Sequence, residues 1–378
     1  MRRGERRPKK GGASFAAGAS FLRPEQGVLD PMKLAAGGFL AALLAAIGLS
    51  AGPAAAARPE LKQLRLANIS TQARPFRDTV LDARVPRVVK RPSDTGGTYT
   101  TADGTAIKVV VSASYQPDDQ RNQGLVDFFG SLVHGPELGE ITIDVRTLPE
   151  VQALCGSQEA LACYDPNDRT IHVPGEDPEG VPLEQILAHE YGHHVAFSRL
   201  NPPWSAYVLG PKRWASYEGI CGKAVAGTVF PGDEGEHYML NPGEGWAETY
   251  RLLNARKVGT WADIGWPVVD PLFMPDDPAL ALAEQDVTQP WTAPTVTKTI
   301  RGTLKKHQFR KWRLTPTLDG TAIVTLHAAK GARTAFFDAV GKQLSNGAAR
   351  STLTICGQRE VYVAVQGTGK FTLTYSLP

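Results

Sequence analysis

No two of the four cysteines form a C-x-x-C pair, which excludes the common cysteine-based zinc site. Residues 58–105 contain neither cysteine nor histidine, so nothing there is equipped to block a metal centre by direct ligation. Apolar runs are scarce too. Leu34–Leu49 is uncharged but is interrupted by Gly37, Gly38 and Gly48, and it is short and weakly apolar for a membrane span. A strong net charge is also missing. The chain carries +3, and residues 1–57 alone hold eight Lys/Arg against three Asp/Glu. The weakly basic balance therefore belongs to the leader and gives no reason to expect nucleic acid as a partner.

What the first 57 residues do have is the layout of an export signal. Lys33 precedes the apolar run, and Ala54-Ala55-Ala56-Ala57 offers an A-x-A cleavage site before Arg58. Met32 stands where such a signal would begin, which makes residues 1–31 either a long n-region or an upstream start. An uncleaved anchor is the alternative. The sequence thus predicts a secreted protein of bacterial-type export with no stable membrane span after cleavage. In an oxidising compartment, four cysteines suggest disulfides. Cys155 and Cys163 are close enough to clip a loop, and a bond between Cys221 and Cys356 would tie distant parts together, but the connectivity stays open. Residues 58–105, rich in Arg, Pro, Thr and Gly, read as a linker, a short propeptide or an N-terminal wrap.

The centre of the chain alternates between the two regular periods. Ile107–Val111 reads as a strand, Asn122–Val133 as an amphipathic helix, and Glu140–Leu148 and Thr170–Val173 as further strands. His189-Glu190-Tyr191-Gly192-His193 follows, inside an apolar stretch that Pro182 and Glu184 open and Asn201-Pro202-Pro203 closes. On a helix, His189 and His193 share one face, so two imidazoles one turn apart can hold one zinc ion. Glu190 is placed to take a proton from a water at that metal. Gly192 weakens the helix and leaves room for another backbone. His172 reads as a plain strand residue.

H-E-x-x-H followed by Glu244 and Glu248, four apart on a second helix that Asn241 or Gly243 caps, is similar to the gluzincin metallopeptidases. The resemblance implies that Glu244 is the third zinc ligand and that Glu248 orients a ligand histidine. The metzincin continuation is absent, because Ala196 and Arg199 occupy its positions. Gly259-Thr260-Trp261-Ala262-Asp263 resembles the G-T-x-x-D-x-x-Y stretch of aspzincins, with Trp266 in place of tyrosine. Asp263 is thereby the alternative third ligand. Tyr238 matches the tyrosine that donates to the oxyanion in anthrax-lethal-factor-like gluzincins, with His237 as the other candidate donor. The order of elements resembles a zincin N-terminal half, which implies that residues 170–174 line the cleft and pair with an extended peptide. The aromatic-rich residues 200–240 would then cover that cleft.

Residues 266–292 read as a Pro- and Asp-rich linker. Beyond them the texture changes to short alternating runs and the charge changes sign: residues 293–378 hold 13 basic and three acidic residues. Phe309–Leu314, Thr321–Leu326, Thr334–Phe337, Thr352–Ile355, Val361–Val365 and Phe371–Tyr375 predict a small antiparallel sandwich. Its end, Gly367–Tyr375, resembles the last hairpin of bacterial pre-peptidase C-terminal domains, which implies an accessory module.

The expected architecture is therefore α+β: a zincin-like domain over residues 106–292 and an all-β domain over 293–378. The expected function is a secreted zinc endopeptidase with one catalytic Zn2+ at His189, His193 and Glu244, and with Glu190 and Tyr238 as catalytic groups. Its partners would be a protein or peptide substrate and, through the basic C-terminal domain, an acidic surface polymer. The alternatives are an exported binding or adhesion protein on the same scaffold, and a zinc amidase acting on cell-wall peptides.

Overall fold

The computed structural model describes residues 93–178, 181–259, 270–328, 331–345, 347 and 349–378. The leader, most of residues 58–105 and Asp263 lie outside these.

The first sheet begins earlier than the alternation suggests. β1 (Thr95–Thr100) pairs antiparallel with β2 (Ala106–Val111), so the stretch read as a linker supplies an edge strand. Its glycines and threonines show no period-two hydrophobic pattern because most of the strand faces solvent. α1 (Asp119–Ser131) is capped by the Asp118 carboxylate and buries Leu125, Val126, Phe128 and Phe129. β3 (Thr142–Arg146), α2 (Leu148–Cys155), β4 (Cys163–Asp165) and β5 (Thr170–Pro174) follow. The sheet order is β1-β2-β3-β5-β4, with β2, β3 and β5 parallel and both edges antiparallel.

This order corrects the expectation for residues 170–174. β5 is paired with β3 along its length and with β4 over Thr170–His172, so this stretch is not the open edge strand that pairing with a peptide along its length would need. The three-residue β4 takes that edge, and so short a strand offers no alternation to read. Ile171 and Val173 face the main core, whereas His172 points to the other face. There its Nδ1 lies 2.7 Å from Asp144 Oδ2, as a strand residue hydrogen-bonded to the neighbouring strand. A disulfide joins Cys155 to Cys163 beneath that face.

The second half of this region is helical. α3 (Leu183–Phe197) is followed by β6 (Leu200–Asn201), β7 (Trp204–Ser205), α4 (Ala206–Leu209), α5 (Lys212–Tyr217), α6 (Ile220–Val225), α7 (Pro242–Lys257) and α8 (Asp277–Thr288). Asp177 accepts from Leu183 N at the start of α3, and the Asn241 side chain accepts from Gly243 N at the start of α7. α8 occupies the stretch read as a linker. Asp276 caps it, and Ala279, Leu280, Ala283 and Val287 are buried at helical spacing. The neighbouring prolines and aspartates, which suggest a linker, are its N-terminal punctuation.

Both α3 and α7 are buried nearly all round, which marks them as central helices rather than surface ones. They cross where Gly192 meets Ala247. A Cβ on Gly192 would lie 2.8 Å from Ala247 Cα and 3.1 Å from its carbonyl oxygen. Trp246 closes the crossing by donating its indole N–H to Gly192 O at 2.8 Å. Gly192→Ala gains about 1 kcal/mol of helix propensity but forces two backbones apart, an overpacking cost of about 1–3 kcal/mol. The expected net result is a lower melting temperature in thermal denaturation. An unchanged or raised value would show that the helices do not need this contact.

The C-terminal region is β-rich: β8 (Val296–Leu314), β9 (Gly320–Ala328), β10 (Arg333–Phe337), β11 (Arg350–Ile355) and β12 (Val361–Leu377). They form one antiparallel sheet, order β10-β12-β9-β11, with β8 along β12. Residues 361–377 are one strand, not the two arms of a hairpin. The Gly367–Gly369 step is a bulge, and the partner strand β8 continues past it. The first half of β12 pairs with β10 and the second with β9, so both halves close over the core of Val324, Phe336, Val363 and Leu373.

This region is docked on the helices. Lys212 is fully buried, and its ammonium donates to Pro202 O at 2.8 Å and Asp319 O at 3.0 Å beneath the Trp291 ring. Burial pushes Lys212 down to about 8, with Asp319 and Asp286 pulling the other way. Asp319 N donates to Ser216 Oγ, Arg359 donates to Ser216 O, and Cys221–Cys356 closes the seam across 135 residues. The second disulfide thus makes the long-range tie that the spacing left open.

Candidate metal centre

α3 brings His189 and His193 to one side, because the helical period stacks i and i+4, and Glu190 follows His189 directly in the chain. α7 supplies Glu244 from its first turn and Glu248 one turn on. His189 Nε2 lies 3.2 Å from Glu244 Oε2, and His193 Nε2 lies 3.5 Å from the same oxygen. One donor atom from each of the three residues falls within 4.8 Å of the others. Tyr238, in the turn before α7, donates its hydroxyl to Glu244 Oε2 at 3.2 Å. His189, Glu190, His193, Glu244 and Glu248 all have zero exposure.

Glu248 sits behind His189 rather than among the three donors. Its Oε2 is 3.2 Å from His189 Nδ1. Arg251 clamps both of its oxygens and also reaches Gln185 Oε1. Burial opposes ionisation of Glu248, but the Arg251 guanidinium and His189 outweigh it and hold the carboxyl down at about 2. An ionised carboxylate only accepts, so His189 carries its proton on Nδ1. Nε2 is the nitrogen that faces the Glu244 carboxylate, the position from which a neutral ring would share a cation with that oxygen.

Two further observations fit a metal ion. Glu244 Oε1 has no hydrogen-bond partner among the described residues, although it is buried. Glu190, Glu244 and Glu248 bring three carboxyl groups into a wholly buried site whose one guanidinium is that of Arg251. Burying unbalanced charge costs several kcal/mol per ion, and a divalent cation at the three donors would supply positive charge beside those carboxyl groups. Two imidazole nitrogens and a carboxylate oxygen form a donor set suited to a borderline divalent ion.

The structure thus gathers His189, His193 and Glu244, with Glu248 and Tyr238 hydrogen-bonded to them, while Glu190 is buried next to His189 on α3. His237, the other candidate donor, is turned to Asp233 at 2.8 Å and stacked on Phe230. Asp263 is outside the described residues. Arg251 is the member of this buried cluster that the sequence reading passed over. Its signal was the i+3 spacing from Glu248, which ordinarily marks only a surface ion pair.

No protein-family model matches the chain, and neither does any curated protein. Among solved structures it is similar to the crystal structure of Aeromonas hydrophila PliG, a periplasmic lysozyme inhibitor of g-type lysozyme. The identity is 10% and the TM-score 0.19, over 21% of this chain and 84% of that one. A likeness that distant carries no argument about fold or function.

Proposed function

We propose that this chain is an exported zinc endopeptidase of the gluzincin type, with a zincin-like domain built on the first sheet and the α3–α7 pair. The observation that carries the reading is the convergence of His189, His193 and Glu244 within 4.8 Å, with Glu190 next to the first ligand on the same helix. Zinc held there would act as a Lewis acid on a water and on the scissile carbonyl.

The chain's own groups do the rest. Glu190 takes the proton of the attacking water and returns it to the leaving amine. The Tyr238 hydroxyl donates to the carbonyl oxygen as negative charge develops on it. Glu248, fixed by Arg251, keeps the His189 proton on Nδ1 and the ring aimed at the ligand position. Two disulfides suit an oxidising compartment, and among the described residues no helix is long and apolar enough to cross a membrane.

One observation favours a second reading. The five acidic and imidazole side chains of the centre are wholly buried, so peptide hydrolysis requires a rearrangement that opens the site. A binding or adhesion protein with a purely structural metal would need none. Metal analysis of the purified protein, with hydrolysis of a mixed peptide pool before and after chelation, separates the two. About one equivalent of zinc, with hydrolysis lost on chelation and restored by zinc, is the expected outcome. Bound zinc without hydrolysis of any peptide would overturn the peptidase in favour of the binding protein. Cleavage confined to cell-wall peptides would assign the amidase.

A further inference from the structure

Pairing register places the side chains of four C-terminal strands on one outward face. Lys370 on β12 is opposite Thr303 on β8. The next row is Arg301, Thr372 and His327, across β8, β12 and β9. The row after that is Thr299, Thr374, Thr325 and Arg350, which reaches β11. Thr297, Ser376, Ile323 and Thr352 make the fourth. Every one of these side chains is exposed or half-exposed, while the alternate positions Leu304, Leu326, Leu373 and Ser351 are buried. The Thr299 and Thr374 hydroxyls are 3.2 Å apart, a hydrogen-bonded pair within rows of threonines that cross the strands.

Threonine is a good strand former, and a row of it alone would mean no more than that. The charge pattern is what departs from an ordinary solvated face, which mixes both signs. This face carries Arg301, Lys370, Arg350 and His327 and no carboxylate. The three acidic residues of 293–378 are all placed elsewhere. Asp319 is buried in the seam with Arg359, Glu360 pairs with Arg313, and Asp338 closes a turn with Lys342 N.

We propose that this face docks a carboxylated polysaccharide, an extended polymer rich in hydroxyls that bears negative charges at intervals. Sugar hydroxyls match the rows of threonine hydroxyls, and the spaced carboxylates match the spaced cations. With strands about 4.8 Å apart and alternate residues about 7 Å apart, Arg301 and Arg350 are about 15 Å from one another. That exceeds the ~10 Å screening length at 0.1 M salt, so the cations act as separate points. Nucleic acid, with a phosphate every few ångströms, calls for denser cations and for aromatic stacking that this face lacks. Insertion into a lipid surface calls for large apolar side chains, and Ile323 is the sole aliphatic one in these rows.

The test is equilibrium binding of the purified full chain to polygalacturonate, so it reads a property independent of peptide hydrolysis. Binding at low ionic strength that weakens steeply with added salt is expected. Arg301→Glu/Arg350→Glu should weaken it about tenfold or more. Arg333→Glu/Lys342→Glu, the same charge change on other exposed positions, should leave it nearly unchanged. Thr299→Val/Thr374→Val keeps strand propensity and removes that hydroxyl pair, and should weaken binding about 2–10-fold. No binding by the parent protein, equal loss in both charge variants, or equal affinity for duplex DNA or phosphatidylserine vesicles would overturn the proposal.

Discussion

Glu190→Gln should lower peptide hydrolysis by about 10²–10⁴-fold, the usual contribution of a positioned general base, while zinc content stays near one equivalent. Glutamine has the size and shape of glutamate, so α3 and its buried contacts persist. What is lost is the ability to accept a proton from water, because an amide oxygen is far too weak a base. Neither oxygen of Glu190 is required for the three-donor set of His189, His193 and Glu244. The measurement pairs hydrolysis rates with metal analysis on the same preparation. Undiminished turnover in the zinc-loaded Glu190→Gln variant would sink the assigned role of Glu190. Loss of zinc together with activity would instead move Glu190 into the ligand set.

The second large effect concerns Glu248. Arg251 has zero exposure, and its charge is answered by the Glu248 carboxylate through a 2.8 Å bond from Nε and a second contact from Nη2. Glu248→Gln leaves a buried guanidinium without a counter-charge, a cost of about 3–5 kcal/mol. By contrast, Arg256–Asp277 lies on the surface, and breaking it should cost at most about 1 kcal/mol. For a chain of this size the first loss corresponds to a melting point lower by roughly 6–20 °C. Zinc affinity should fall about 10–100-fold, because His189 loses the acceptor that sets its tautomer.

A double variant separates the two roles of Glu248. Glu248→Leu/Arg251→Met removes the buried charges together and should recover much of the stability. It cannot restore the acceptor at His189 Nδ1, so zinc affinity should stay low. Recovery of both would show that Glu248 serves only to neutralise Arg251.

Local patterns carried much of this architecture. The H-E-x-x-H spacing, the Asn241 cap and the strands around Ile107–Val111 and Ile143–Val145 depend on contacts within one or two turns or on one buried face. Those leave a periodic trace in the chain. The elements that escaped detection are those whose partners supply the order. β1 is an exposed edge held by β2, β4 is three residues long, and α8 is hidden behind its own capping prolines and aspartates. Gly367 and Gly369 read as a turn in isolation, whereas pairing with β8 makes them a bulge in one strand.

The amino-acid sequence by itself determined that two imidazoles share a helix face, with a carboxylate next to the first, because the helical period is a property of the local backbone. It also placed Glu244 and Glu248 one turn apart on a second helix. The tertiary structure alone decided that the two helices meet. The contact joins His189 to Glu244 across 55 residues and depends on Gly192 letting the Ala247 backbone approach. It also decided that β5 lies inside the sheet and that hydroxyls and cations from four strands share one face. Helix crossing and strand register depend on which distant segments pack together, and no periodicity within a single segment encodes that choice.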